Sequence, residues 1–222
     1  MPNETQIGSS VGRIVSVQVG MPQRLGDPTS TDAAESLWFT SIFKSKVDGP
    51  VRLDKRNLAG DAQADLRVHG GPDKAVYAYC AEHYPKWRKE LGIPEFEFGA
   101  LGENFTVTGA DEDGVCIGDV HEIGSARLQV SQPRSPCWKL ARKWQRSDLP
   151  KRLVMTGRSG WYYRVLQEGI VETGNELRLV ERPLPDWTIR RVCNVTYGID
   201  RNDGDLRALE RLDLLASQWK RL

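Results

Sequence analysis

The residue best placed to do chemistry is Cys137, at the end of Ser131-Gln132-Pro133-Arg134-Ser135-Pro136-Cys137. Two prolines stiffen the backbone before it. Arg134 and Lys139 bring positive charge, and a helical pattern starts just after the sulfur. All three favour the thiolate, which is both the nucleophile and the soft-metal ligand. Local chemistry leaves three roles open: nucleophile, metal ligand or small apolar filler. Cys80, Cys116 and Cys193 have ordinary or apolar neighbours and read as fillers.

A second candidate is Val68-His69-Gly70-Gly71-Pro72-Asp73-Lys74. Paired glycines let backbone N–H groups approach a bound group, and His69 and Lys74 can donate to an anion such as phosphate. The same run also reads as a plain glycine turn between strands. In Gly102-Glu103-Asn104, Asn104 either presents its amide to a polar ligand or shapes a turn. Glu103 reads as an acid or base, or more simply as a solvated carboxylate. Asp61 and Asp65, in Gly60-Asp61-Ala62-Gln63-Ala64-Asp65, read as fixing loops. There is no serine nucleophile elbow, P-loop or dinucleotide fingerprint. Trp138, Trp144 and Arg146 form no nucleic-acid motif and read as core and solvated face.

The elements that must position these residues are mostly short strands. The 222 residues suffice for one sizeable domain and a small appendage. Strands are expected at Arg13 to Val19, Leu37 to Phe43, Val76 to Tyr79, Phe105 to Val107, Val120 to Ile123, Ala126 to Val130, Tyr162 to Leu166 and Glu176 to Val180. Glycine, proline and aspartate turns separate them, a barrel or sandwich pattern. A helix from Ala81 to Leu91 should stop at Gly92 with Pro85 in its first turn. Another runs from Cys137 towards Leu153, broken and restarted at Asp148-Leu149-Pro150. Pro183-Leu184-Pro185 reads as a short linker. It divides a barrel domain, 1–182, from a C-terminal extension, 186–222, of three short amphipathic helices that must pack on the barrel or on another subunit.

Charge and cysteines narrow the class. With 31 basic and 30 acidic residues, a net charge of +1 calls for neither nucleic acid nor an anionic membrane as main partner. No apolar run is long enough for a signal or a membrane span, so the expected location is cytoplasmic. Four distant cysteines and three unpaired histidines argue against a disulfide framework or a structural zinc site.

Taken in order, several runs resemble one family. They are Leu58 to Asp65, His69 to Ala75, Gly102-Glu103-Asn104, Ile117-Gly118-Asp119, Ser131 to Leu140, and Gly160-Trp161-Tyr162 with Arg164-Val165. Together they look like a YiiM-type member of the MOSC domain family, and the helical tail is similar to that branch's extension. The resemblance implies an α+β fold: a mostly β MOSC barrel followed by the three-helix extension. It implies the molybdenum cofactor, a pterin dithiolene with a phosphate tail, ligated through sulfur at the place Cys137 occupies. Arg134, His69, Lys74, Asn104 and Gly70 would surround cofactor or substrate.

The activity so implied is detoxifying reduction of N-hydroxylated compounds such as hydroxylaminopurines, with electrons from a flavin-containing reductase and a homodimer as one possible state. Two other functions stay open at this stage. One is sulfur transfer to the cofactor, as in sulfurases, although the chain lacks room for their pyridoxal-phosphate domain. The other is a non-catalytic cofactor carrier.

Overall fold

The computed structural model describes residues 7–32, 35–67 and 69–220. Val68, which opens the His-Gly-Gly run, lies outside them. The strands are β1 (Ser10–Val19), β2 (Gln23–Leu25), β3 (Trp38–Thr40), β4 (Ser45–Val47), β5 (Val51–Leu53), β6 (Val76–Cys80), β7 (Phe105–Thr108), β8 (Val120–Ile123), β9 (Ala126–Pro133), β10 (Trp161–Gln167), β11 (Gly169–Val171) and β12 (Glu176–Glu181). The α-helices are α1 (Tyr84–Leu91), α2 (Trp138–Trp144), α3 (Leu149–Thr156), α4 (Ile189–Tyr197) and α5 (Asp203–Glu210).

Seven strands run in the order β12-β8-β9-β10-β6-β7-β1, and β1 pairs again with β12, which closes a barrel and leaves β4 attached to the far end of β1. Closure removes the unpaired edges that an open sheet must protect. The fold is α+β, as expected. Among these strands only β6 and β7 pair in parallel, with Ala78 opposite Phe105. A parallel pair needs a crossover, and residues 81–104 with α1 supply it. Helix α1 ends at Gly92 with φ 68°, and Pro85 sits in its first turn, where a missing N–H costs no helix bond.

Strand β6 is buried along its whole length. Successive side chains of a strand point to opposite faces. Val76 and Ala78 join the barrel core with Ile14, Phe105, Leu128 and Trp161. Tyr77 and Tyr79 face a second core made with Tyr84, Trp87, Leu101, Leu140 and Leu153. That second core seats α1, α2 and α3 on the outside of the barrel. The strand expected over Leu37 to Phe43 is shorter, covering only Trp38–Thr40, because its far end turns into a loop.

The tail packs on the barrel, and it departs from expectation in its last element. Its third helix is a single 3-10 turn, Ser217–Trp219, too short for an amphipathic helix. Pro183-Leu184-Pro185 does not lead into a free linker, because Cys116 and Thr188 form a β-bridge and Ile117 N–H donates to the Trp187 carbonyl at 2.9 Å. Val192, Val195, Leu209, Leu215 and Trp219 belong to the same apolar cluster as the barrel interior. A buried pair secures the junction: Arg182 donates to both Asp119 oxygens, at 2.9 and 2.7 Å, and Cys116 N–H donates to the same carboxylate.

His121 is fully buried, with Nδ1 2.7 Å from the Tyr163 hydroxyl and no partner for Nε2 among the described residues. Burial, with a smaller push from Arg182, brings its pKa down to about 3. An unfolded histidine titrates near 6.5, so as the pH falls the unfolded chain takes the proton first. Its contribution is complete above pH 6.5 and is lost as pH falls towards 3. By pH 5 the loss is on the order of 2 kcal/mol. Urea midpoints at pH 7.5 and 5.0 should therefore differ less for His121→Gln than for the wild type. An identical pH dependence in both proteins rules the histidine out.

Candidate cofactor site

Cys137 lies between β9 and α2 and is the N-cap residue of α2, with extended backbone angles and no capping hydrogen bond from its side chain. Helix α2 has only seven residues, so its start adds little charge stabilisation to the sulfur. The thiol is partly exposed, while Cys80, Cys116 and Cys193 are buried. Burial pushes Cys116 and Cys193 up to about 12, and Cys80 is raised by the same cause. Those three are held as thiols, as fillers should be.

Cys137 borders a cleft whose walls also include His69, Gly70, Lys74, Asn104, Arg134 and Lys139. With Asp61 and Tyr162 also on the wall, residues from five separate runs of sequence meet at one opening. Arg134 is 5% exposed, and its guanidinium lies 5.4 Å from the centre of the Tyr77 ring. Burial opposes its charge, but Tyr77, Cys137 and Tyr162 favour it, and the balance is upward. The backbone of this segment is tied to β10 by Arg134 N–H donating to the Gly160 carbonyl at 3.2 Å. Gly160 has φ 68°, and a Cβ there would lie 2.4 Å from the Ala78 carbonyl, so only glycine fits.

The His-Gly-Gly run makes a turn that glycine favours. Gly70 and Gly71 have φ of 88° and 90°. A Cβ on Gly70 would meet the Gln63 side chain at 2.9 Å. Ser131 Oγ donates to the Asp73 carbonyl at 2.6 Å, and Arg164 Nε donates to Asp73 Oδ1 at 2.8 Å. Arg164 also donates to Gln129 and to the Leu214 carbonyl, so one side chain links this loop, the barrel and the tail. Burial, then Lys139, Arg134 and Lys74, bring His69 down to about 4. At pH 7 its ring is neutral and offers a hydrogen bond but no positive charge.

Asn104 reaches the cleft wall with its amide already used. It accepts from Tyr77 N–H at 3.1 Å and donates to the Gln18 carbonyl at 3.2 Å and to Asp61 at 3.0 Å. Asp61 in turn accepts from Gly20 N–H at 2.8 Å and pairs with Lys44. It fixes a loop, as its sequence context suggests, and Asp65 does likewise through Arg67 at 2.9 Å.

Glu103 is neither a solvated carboxylate nor a free acid. It is fully buried and accepts from Gly99 N–H, Leu101 N–H, the Thr106 hydroxyl and the Tyr84 hydroxyl. Sequence reasoning missed Lys44, Tyr77 and Lys143. Lys143 donates to the carbonyls of Ile42 and Gly99, at 3.1 and 3.2 Å, and so holds the loop that forms one wall. Burial lowers its pKa to about 8. Only the alternation along β6 could have flagged Tyr77, since it faces away from Val76 and Ala78.

The donor set suits a pterin-borne metal. Among the described residues no group of three or more His, Cys, Asp or Glu side chains could cage an ion. One thiol is offered, which fits a metal arriving with its own sulfur ligands. The cleft also holds an orphan, the buried Ser41 hydroxyl, which has no partner among the described residues. Lysines and buried guanidinium complement an anionic tail.

A closed seven-stranded barrel with this thiol-bearing cleft defines a MOSC-type protein. The MOSC domain model matches residues 65–178, and the chain belongs to that family. It is similar to protein YflK of Bacillus subtilis (strain 168), 41% identical over 88% of each chain. It is also similar to the solved structure of YiiM from Geobacillus stearothermophilus, with TM-score 0.77 and 38% identity over 94% of this chain and 95% of that one. A protein named "Reductase" from Gibberella moniliformis (strain M3125 / FGSC 7600) is 40% identical over 70% of this chain, which spans 28% of that longer relative. Among the described residues no helix is long and apolar enough to cross a membrane.

Proposed function

We propose that this chain binds the molybdenum cofactor in the cationic cleft through Cys137 and reduces N-hydroxylated compounds, hydroxylaminopurines among them, to amines. The observation that carries the reading is the single accessible thiol on the wall of a cleft supplied with Lys74, Lys139 and buried Arg134. When bound, the cofactor supplies two-electron redox chemistry. Two electrons and two protons convert the N-hydroxylamine to amine and water.

The chain's own residues hold and orient. Arg134, locked over Tyr77, presents a fixed positive charge next to the sulfur. Lys74 and the Gly70 backbone, on the cleft wall, would hold the anionic part of the cofactor, and neutral His69 would add one hydrogen bond. Asn104 acts as a positioning residue, because its amide holds Tyr77 and Asp61 in place. The reading carries with it a flavin-containing reductase as electron donor and a cytoplasmic setting. The longer relative named "Reductase" supports redox work.

The test is to load the purified protein with cofactor, supply electrons from a reduced viologen dye, and follow a hydroxylaminopurine. Conversion to the aminopurine that depends on loading supports the reading. Metal-replete protein that reduces nothing rejects it and leaves a carrier.

A further inference from the structure

Cys137 borders two openings. Beside the cationic cleft runs a second groove between the barrel and the tail, and His69, Lys74, Cys137 and Tyr162 line both. The second groove has a different character. Its walls carry Trp138, Tyr197 and Trp219, together with Thr196, Gln132 and Gln218. Lys44, Lys139 and Arg134 face only the first opening.

Trp138, directly after Cys137 in the chain, is 57% exposed, although it packs at 5.8 Å on Trp38. Tyr197 stands edge-on to Trp219 at 6.0 Å, and its hydroxyl contacts Ser135 at 3.5 Å. Helix α4 stops at Gly198, which leaves Thr196 and Tyr197 on its final turn at the groove. The 3-10 turn delivers Gln218 and Trp219 to the same place. The Thr196 hydroxyl is shielded from solvent and has no partner among the described residues. Gln218 donates to Gln132 at 2.6 Å, so two amides stand together at this wall.

We infer that this groove is the substrate subsite, that it takes a flat heteroaromatic base, and that Trp138 and Tyr197 are its specificity-determining residues. The inference rests on the reductase reading above. Large apolar rings beside a few convergent polar groups are what a small planar ligand needs. Every heteroaromatic base has a π-face to stack on an aromatic side chain, while the exposed Gln218 amide can address its ring nitrogens. The anionic cofactor belongs in the cationic cleft and the neutral base in the aromatic groove. Cys137, on the divide, would hold the metal where the two openings meet. The tail, beyond packing on the barrel, thereby forms one wall of the subsite.

The experiment compares wild type with Trp138→Ala, Trp138→Phe and Tyr197→Ala in two readouts. The first is equilibrium binding of 2-aminopurine to the holoprotein without reductant, followed by the base's own fluorescence. The second is steady-state reduction of a hydroxylaminopurine and of hydroxylamine, which has no ring to stack. Loss of one stacking partner should weaken 2-aminopurine by about 10-fold in Trp138→Ala and Tyr197→Ala, and raise KM for the purine similarly. The kcat, and the KM for hydroxylamine, should stay near wild type, and Trp138→Phe should recover most of the loss.

Unchanged 2-aminopurine affinity, or an equal rise of KM for both substrates, overturns the subsite. Reduction of the purine at wild-type KM by both alanine variants also overturns it, and leaves the reductase reading standing. Binding of 2-aminopurine that depends on Trp138, in a holoprotein that reduces nothing, rejects the reductase reading and supports the groove as a base site.

Discussion

Cys137→Ser protein, purified beside the wild type, is expected to lose molybdenum by more than about 100-fold while remaining folded. A hydroxyl is a hard, weakly acidic donor and cannot replace a thiolate at a soft centre. The fold should survive because the Cys137 side chain is partly exposed and caps nothing. Metal analysis by mass spectrometry reads the loss, and circular dichroism checks the fold. Cys193→Ser serves as the control and should keep its metal, since its sulfur is buried 3.6 Å from the Ser159 hydroxyl, away from the cleft. Equal molybdenum in Cys137→Ser and wild type would end the ligand assignment.

The second large effect concerns stability. Glu103→Ala removes the acceptor of four buried donors, two of them backbone N–H groups. Each buried donor left unsatisfied costs about 1–3 kcal/mol, so a loss on the order of 5 kcal/mol follows. For a chain of this size that corresponds to a fall in Tm of roughly 10–20 °C. Thermal unfolding of the purified variant measures it. Glu103→Gln keeps one acceptor oxygen and should lie in between. A fall of only a degree or two for the alanine variant would mean that solvent or repacking satisfies those donors.

Local signals carried much of this architecture. Each run of alternating residues from Val76 onward became a strand, and Gly92 and Asp148-Leu149-Pro150 punctuated the helices where they should. The cleft was legible through five motif runs, because chemistry-bearing residues within each are neighbours in sequence as well as in space. Pairings over long separations were not legible. Lys44 meets Asp61, Asn104 meets Gln18, and Lys143 meets Ile42, and nothing near any of them announces the partner. Glu103 looked solvated for the same reason: its donors include Tyr84 and Thr106, which the fold alone brings together. Trp138 misled in the other direction. A tryptophan at the head of a helix reads as core, yet more than half of it stays open because α2 turns its Leu140 face inward.

Strand β6 has no solvent side. Its odd and even residues are keyed into two separate cores, and Tyr77 carries Arg134 on its ring. A bending motion of this strand would have to unpack both cores together, which close-packed interiors resist. The Gly70-Gly71 loop and the tail are held instead by polar ties: Arg164 joins Asp73 to the Leu214 carbonyl, Ser131 holds the Asp73 carbonyl, and Gln218 holds Gln132. The protein so built has an anvil on one side and a few polar latches on the other.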